Sequence, residues 1–216
     1  MGFAPFVKTR LLRPEVARRA GAWILASNHI SHFDPPLITI ASRRKIDWMA
    51  MKDLFRHPLA ALYFNAVDTF STDRDNVDRG SVKTALKRLK KGRMIGMFPE
   101  GGIRAGVTSV LQGAPMLPGV GAMAQIANAP ILPCIVLGTD RLYCRKNWRL
   151  FGGTPFWVGF GEAIRPPAGM GKADARAWLE RELSVAFRDL LAAMRSHFSL
   201  TDDDIPKTPQ ERAKGA

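Results

Sequence analysis

A histidine and an aspartate stand five positions apart in a short polar stretch, NHISHFDPP, residues 28–36. A histidine can take a proton from a hydroxyl when one ring nitrogen faces the substrate and the other donates a hydrogen bond to a carboxylate. His29 and Asp34 have the residue types that this general-base chemistry needs. Residues on a helix face each other only at spacings of three or four, so the pair requires a turn, which the Asp-Pro-Pro sequence supplies.

Simpler interpretations of the same stretch compete with catalysis. Asp34 precedes two prolines and would make a good N-cap for a helix that begins there, a role that needs no chemistry. A His-x4-Asp pair is also too short a pattern to identify a catalytic site alone. His32 is a second candidate base, and an exposed surface histidine is its simpler interpretation.

A second polar cluster, FPEGGIR at residues 98–104, has the groups that bind an anion. Glu100 and Arg104 flank a glycine pair, whose backbone amides can approach an anion closely. Arg74, in the stretch STDRD, is another candidate cation. A guanidinium can hold a phosphate through two parallel hydrogen bonds, so the two arginines could orient a phosphorylated alcohol beside His29.

Both clusters follow an apolar run that predicts a buried strand, at residues 23–27 and 94–98. Chemistry at strand ends is common in α/β folds. Other segments predict strands at 46–51, 131–137 and 156–160, and helices at 37–42, 53–66, 81–91 and from 174 onwards. This alternation predicts one α/β domain over residues 1–200, with a mostly parallel or mixed central sheet flanked by helices. Residues 201–216 are polar and predict a disordered tail.

The charge of the chain indicates a polyanionic partner. Its 32 Lys and Arg residues against 19 Asp and Glu residues give a net charge of +13. Substrate phosphates, anionic lipid headgroups and nucleic acid all fit such a charge. A basic nucleic-acid-binding module is therefore an alternative, although it gives the two strand-end clusters no role. The two cysteines are too few for a disulfide framework and fit a reducing compartment.

Membrane attachment is expected to be peripheral. No window reaches the roughly 18 uninterrupted apolar residues of a transmembrane helix, and no signal-peptide pattern is present. Residues 1–22 mix phenylalanine and leucine with arginine and lysine. This composition predicts a helix that lies on an anionic surface or docks onto the protein's own core. We expect the protein on the cytoplasmic face of a membrane.

The ordered blocks of the sequence resemble the glycerolipid acyltransferase family, which includes bacterial 1-acyl-glycerol-3-phosphate acyltransferases. The family's first signature is Asn-His-x4-Asp and its third is Phe-Pro-Glu-Gly. Four segments carry the resemblance: Asn28 to Asp34, FSTDR at 70–74, FPEG at 98–101 and APILPC at 129–134. Together they cover about residues 23–161, and they imply a glycerol-3-phosphate acyltransferase-like fold.

The resemblance implies transfer of an acyl group from an acyl-CoA or acyl-carrier-protein thioester to a hydroxyl of a lysophospholipid. The implied acceptor is 1-acyl-glycerol-3-phosphate, the implied process is phospholipid biosynthesis, and no nucleic acid, metal or cofactor is expected. His29 would be the general base and Asp34 its orienting partner. The implied substrate-binding residues are Asn28, Arg74, Glu100, Gly101, Gly102 and Arg104. Arg104 stands one position later than the family's arginine, which leaves open another acceptor, such as an amino-acid lipid or a glycolipid.

Overall fold

The strands that the structure describes form one mixed sheet. A computed structural model describes residues 7–51, 69–72, 79–144 and 154–207. Within these ranges the strands are β1 (Val7–Leu12), β2 (Trp23–Ser27), β3 (Ile46–Met51), β4 (Phe70–Thr72), β5 (Met94–Met97), β6 (Ile131–Leu137) and β7 (Thr154–Phe160). Their order in the sheet is β1-β7-β6-β2-β5-β3-β4. All neighbours are parallel except β6 and β7, which are antiparallel. The predicted fold class is therefore confirmed.

Helices cover both faces of this sheet. The described helices are α1 (Pro14–Ala17), α2 (Asp34–Ser42), α3 (Arg79–Lys90), α4 (Val120–Ala127) and α5 (Lys172–Phe198). Ile24 and Ala26 of β2 belong to a buried cluster with α4 and α5, whereas Leu25 belongs to a second cluster with α1 and α2. Because β2 is buried on both faces, its sequence is a continuous apolar run rather than an alternating one.

The central position of β2 brings the two polar clusters together. β2 pairs in parallel with β5, and Ala26 lies opposite Met97. Parallel neighbours end at the same edge of a sheet, so the loops that follow these strands, residues 28–33 and 98–104, meet there. β6 pairs with β2 in parallel on its other side, and Ser27 lies opposite Cys134. The loop after β6 therefore reaches the same edge.

The predicted helices at 37–42 and 81–91 and the long helix from 174 are confirmed as α2, α3 and α5. Pro35 and Pro36 lie in the first turn of α2, where the missing N–H groups would have had no intrahelical partner. The predicted helix at 53–66 lies outside the described residues. In the described part of the chain, no helix is both long and apolar enough to cross a membrane.

The two ends of the chain differ from expectation. The predicted helix within residues 1–22 is wrong over residues 7–12, which form strand β1 and add to the sheet beside β7. At the other end, residues 201–207 fold onto the domain, whereas residues 208–216 lie outside the described ranges. Ile205 is buried, and Arg141 forms a 2.9 Å ion pair with Asp204. Burial of Ile205 and the Arg141–Asp204 ion pair offset the entropy that is lost when this segment is ordered. The polar composition of the segment had predicted disorder.

Candidate active site

His29 and Asp34 form a hydrogen-bonded pair at the end of β2. His29 Nδ1 lies 2.8 Å from Asp34 Oδ2, and the Asp34 side chain is fully buried while that of His29 is 15% exposed. Asp34 is the first residue of α2, so the turn between the strand and the helix folds its carboxylate back towards the strand end. A neutral imidazole that donates from Nδ1 keeps its lone pair on Nε2, which is then the nitrogen available to a substrate hydroxyl.

The Asp34 carboxylate holds the preceding turn rather than capping the helix. Its Oδ2 also accepts hydrogen bonds from the backbone N–H groups of Ile30 (2.7 Å) and Ser31 (2.9 Å). Its Oδ1 accepts from the hydroxyl of Thr139. The N-cap of α2 is Phe33, without a side-chain cap, so the N-cap interpretation of Asp34 is wrong. The four donors fix both oxygens of the carboxylate and thereby the direction of its bond to His29.

The amide of Asn28 ties β2 to β6. Its Nδ2 donates to the carbonyl of Val136 (2.9 Å), and the Val136 N–H donates to its Oδ1 (2.8 Å). These two bonds continue the parallel pairing of β2 and β6 beyond Ser27 and Cys134. Asn28 is completely buried. Its side chain fixes the backbone immediately before His29, and no exposed atom supports the prediction that it binds substrate.

The loop after β5 holds the backbone of His29 from both sides. Glu100 Oε2 accepts the His29 N–H, and the backbone N–H of Arg104 donates to the His29 carbonyl over 2.8 Å. Glu100 Oε1 accepts from Ser109 Oγ (2.7 Å) and from the Val110 N–H (2.9 Å). Glu100 is buried, and this burial raises the pKa of its carboxyl group. The first effect of the second cluster is thus to fix His29, the predicted general base, in place.

The glycine pair and the arginine lie beside His29 on this loop. Gly101 has φ +68°, a left-handed conformation that favours glycine, and its N–H bonds to the Phe98 carbonyl (3.0 Å) in a tight turn. Gly102 is half-buried and the Arg104 side chain is exposed. Arg74 lies outside the described residues. Four of the predicted substrate-binding residues, Glu100, Gly101, Gly102 and Arg104, thus lie on the loop that contacts His29, and their binding of phosphate stays a prediction.

Thr139 is a site residue that the sequence reasoning missed. It is buried directly after β6, in the short helical turn Thr139–Tyr143. The same rule that identified the first two clusters, polar residues at the end of a buried strand, applies to Thr139 and Asp140 after the apolar run at 131–137. Since β5, β2 and β6 are parallel neighbours, the polar residues that follow them lie at the same edge of the sheet.

His32 takes no part in the hydrogen bonds described for His29 and Asp34. It is exposed, and its Nδ1 lies 2.6 Å from the hydroxyl oxygen of Tyr143. The Asp34 oxygens are occupied by other donors, so the structure favours His29 over His32 as the base. A cavity of about 490 Å³ lies next to Tyr143 and is not lined by His29. The cations in its lining, Arg141 and Lys207, form ion pairs with aspartates, which makes it a poor phosphate site.

Comparisons with known proteins agree with this geometry. The family model described as Acyltransferase matches residues 8–137. Over 114 residues the chain is 30% identical to a 1-acyl-sn-glycerol-3-phosphate acyltransferase of Bacillus subtilis (strain 168), covering 51% of this chain and 54% of that protein. The chain thus spans about half the length of this curated relative.

The fold has a counterpart among solved structures. The crystal structure of the 1-acyl-sn-glycerophosphate (LPA) acyltransferase PlsC from Thermotoga maritima superposes with a TM-score of 0.62 at 20% identity, covering 87% of this chain and 74% of that one. At this identity the likeness concerns the fold alone. The family model, however, spans more than half of the chain and includes both strand-end clusters. The protein therefore belongs to the acyltransferase family.

Proposed function

We propose that the protein transfers a fatty acyl group from a thioester to a hydroxyl of a lysophospholipid, with 1-acyl-glycerol-3-phosphate as the acceptor, in phospholipid biosynthesis. The observation that carries this proposal is the His29–Asp34 pair, in which a buried carboxylate with four donors orients an imidazole. The name of the Bacillus subtilis relative, which is that of this reaction, supports the choice of acceptor.

The reaction needs one general base and no enzyme-bound acyl group. Nε2 of His29 accepts the proton of the acceptor hydroxyl while the hydroxyl oxygen attacks the thioester carbonyl and forms the new C–O bond. The tetrahedral intermediate then expels the thiolate, which takes the proton from the imidazolium and leaves as a thiol. Asp34 stabilises the imidazolium in between. General-base help of this kind contributes on the order of 10²- to 10⁴-fold in rate.

We propose that the acceptor phosphate binds at the loop after β5. The side chain of Arg104 is exposed, and its own backbone N–H bonds to the His29 carbonyl. A phosphate bound to this guanidinium would therefore lie near the base. Gly101 and Gly102 leave room for an anion to approach the loop backbone. Arg74, from the second sequence block, is proposed as a further phosphate ligand. Asn28 and Glu100 act behind this surface, since both are buried and hydrogen-bonded within the protein.

The acyl donor is an acyl-CoA or an acyl-carrier protein. Both carry negative charge, on the nucleotide phosphates or on an acidic protein surface, and the net charge of +13 favours either partner. Neither a metal nor a resident cofactor has a step in the reaction as proposed.

We also propose that the protein works at an anionic membrane surface on the cytoplasmic side, because the acceptor is a lipid. The connection after β5 exposes three apolar side chains, Ile103 (38%), Val107 (84%) and Leu117 (55%). Exposed Arg104 lies among them in the sequence. Apolar and cationic side chains together favour an anionic interface. Vesicles that contain anionic lipid should sediment the protein, with less recovered at high salt; equal recovery with purely zwitterionic vesicles would contradict the electrostatic part.

The test of the reaction is an acyl-transfer assay with acyl-CoA and acyl-carrier-protein donors in parallel. Purified protein with lysophosphatidic acid should release free thiol and form phosphatidic acid, and His29→Ala should lower this rate by about 10²- to 10⁴-fold. His32→Ala is the matched control, since His32 is exposed and bonded to Tyr143. A His29→Ala variant that keeps the wild-type rate would rule out His29 as the base.

A different acceptor remains the second candidate function, because Arg104 is displaced by one position from the family pattern. The same assay with a monoacylated amino-acid lipid and a glycolipid distinguishes the two candidates. A higher kcat/KM with either lipid than with lysophosphatidic acid would favour the alternative.

A further inference from the structure

One face of the His29 ring is covered by a stack of two aromatic rings. The centroid of Phe98 lies 4.0 Å from that of His29, and the two planes differ by 15°. Behind Phe98, the centroid of Trp48 lies at 4.7 Å with an interplanar angle of 11°. Phe98 follows β5 directly and Trp48 is on β3, the next strand of the sheet. The three rings therefore form one nearly parallel column.

The column is built into the sheet by a glycine. Gly96 lies opposite Trp48 in the pairing of β3 with β5. A Cβ atom at Gly96 would lie 2.7 Å from Cδ2 and Cζ3 of the indole, a distance that real Cβ contacts do not show. The indole can thus lie flat against β5 only because residue 96 has no side chain.

The far end of the column is tied to the helix that carries Asp34. Trp48 Nε1 donates a hydrogen bond to Thr39 Oγ1 (3.0 Å), and that hydroxyl donates to the Pro35 carbonyl (2.8 Å). Thr39 and Pro35 belong to α2, which begins at Asp34. A closed circuit of contacts runs from Asp34 along α2 to Trp48, through Phe98 to His29, and back to Asp34. The positions of both His29 and Asp34 are therefore set relative to α2.

We propose that Phe98, backed by Trp48, is a positioning residue that sets the plane of the His29 imidazole. This inference rests on the proposed role of His29 as the general base. The hydrogen bond to Asp34 fixes Nδ1 but leaves the ring free to tilt about that nitrogen. The stacked Phe98 ring, whose centroid lies 4.0 Å from that of His29, prevents this tilt. The hydrogen bond and the stacking contact together fix the direction of Nε2. The aromatic face also favours the imidazolium that forms when the hydroxyl is deprotonated.

The competing interpretation is that Phe98 and Trp48 only fill the core. The two interpretations differ for Phe98→Leu, which keeps an apolar side chain of similar bulk but loses the flat face. As a filler it would affect stability alone. As a positioning residue it should lower kcat by about 10-fold with KM nearly unchanged. This is less than the order of 10²-fold that a displacement of about 1 Å in a reacting group costs, because the bond to Asp34 still holds one ring nitrogen. Phe98→Tyr, which keeps the flat face, should recover most of that loss.

The experiment compares Phe98→Leu and Phe98→Tyr with a matched control. Phe187→Leu makes the same chemical change at a fully buried position of α5, in the cluster on the other face of β2. Each variant is measured for kcat, KM and Tm, and the His29 ring protons are assigned by NMR in the substrate-free protein. Ring currents of Phe98 should shift these protons upfield in the wild type and in Phe98→Tyr, and the shift should be lost in Phe98→Leu.

The outcomes separate this inference from the proposed function. A lower kcat in Phe98→Leu with the ring-current shift lost and Phe187→Leu unaffected supports it. Wild-type kcat in Phe98→Leu, or an equal loss in Phe187→Leu, overturns it. If no acceptor is acylated by any variant, the proposed function fails. The NMR comparison then still decides the geometric part, because it requires no substrate.

Discussion

Removal of the Thr139 hydroxyl tests whether the four donors around Asp34 matter. Thr139→Val keeps the shape of the side chain and deletes the donor to Asp34 Oδ1. Both residues are completely buried, so water cannot replace that bond without a change in packing. A hydrogen bond to a charged group contributes about 1.5–3 kcal/mol, and the free energy of unfolding should fall by about this amount.

The rate should fall as well, because an unpaired carboxylate oxygen will rotate towards the donors that remain. Oδ2 already receives the bonds of His29, Ile30 and Ser31, so rotation weakens the bond that orients the imidazole. A loss of about 1.4 kcal/mol in that orientation corresponds to about a tenfold lower kcat. KM should change little, since Thr139 lies behind Asp34 and is not exposed to a substrate.

Urea denaturation and the thiol-release assay measure the two effects, and Thr139→Ser is the matched control. Serine restores the donor and removes one methyl group, for which about 0.8 kcal/mol of stability is expected to be lost. Its kcat should therefore lie close to that of the wild type although it is also less stable. The reasoning is refuted if Thr139→Val unfolds at the wild-type urea concentration, or if serine and valine lower kcat equally.

Three further predictions concern the loop after β5. Burial raises the pKa of Glu100, so the folded state binds the proton of this carboxyl group more tightly than the unfolded state does. The free energy of unfolding should therefore fall as pH rises from the unfolded pKa of about 4.3 through the folded pKa. Glu100→Gln should remove that slope in urea titrations at several pH values, whereas exposed Glu162→Gln should not. Gly101→Ala should lower the free energy of unfolding by about 1–2 kcal/mol because of its left-handed backbone, measured by thermal unfolding; an unchanged Tm would contradict the turn geometry. Arg104→Ala should raise KM for lysophosphatidic acid and leave KM for a phosphate-free monoacylglycerol unchanged; equal effects on both would remove Arg104 from the phosphate site.

The elements around the site could be predicted because they are buried on both faces. Strands such as β2 and β6 are continuous apolar runs, and the polar residues that end them are conspicuous in the sequence. Their adjacency follows from the parallel topology, so the meeting of His29 with the loop at 98–104 could be anticipated without coordinates. The turn that returns Asp34 to His29 was also predictable, because Asp-Pro-Pro cannot continue a strand.

What the sequence could not reveal depends on pairing between distant segments. Strand β1 mixes apolar and basic residues, a composition typical of an interfacial helix, and it is a strand because it pairs with β7. Asn28 and Glu100 have the polar side chains of ligand-binding residues. Asn28 is instead hydrogen-bonded to the backbone of Val136. Glu100 accepts from the backbone of His29 and Val110 and from the hydroxyl of Ser109. Residue type alone cannot distinguish a side chain that binds substrate from one that holds the residue that does.

The contacts of Arg104 explain how its displacement along the sequence is compatible with an intact His29–Asp34 pair. Arg104 holds His29 through its backbone N–H, so any residue type other than proline could make this bond. Its guanidinium is exposed and takes no part in the positioning of His29. The extra residue before Arg104 can therefore move the proposed phosphate-binding group without moving His29. In the proposed reaction, positioning of the base and choice of the acceptor are thus separable in this loop. Arg104→Ala should therefore affect KM according to the acceptor, while Phe98→Leu should affect kcat for every acceptor.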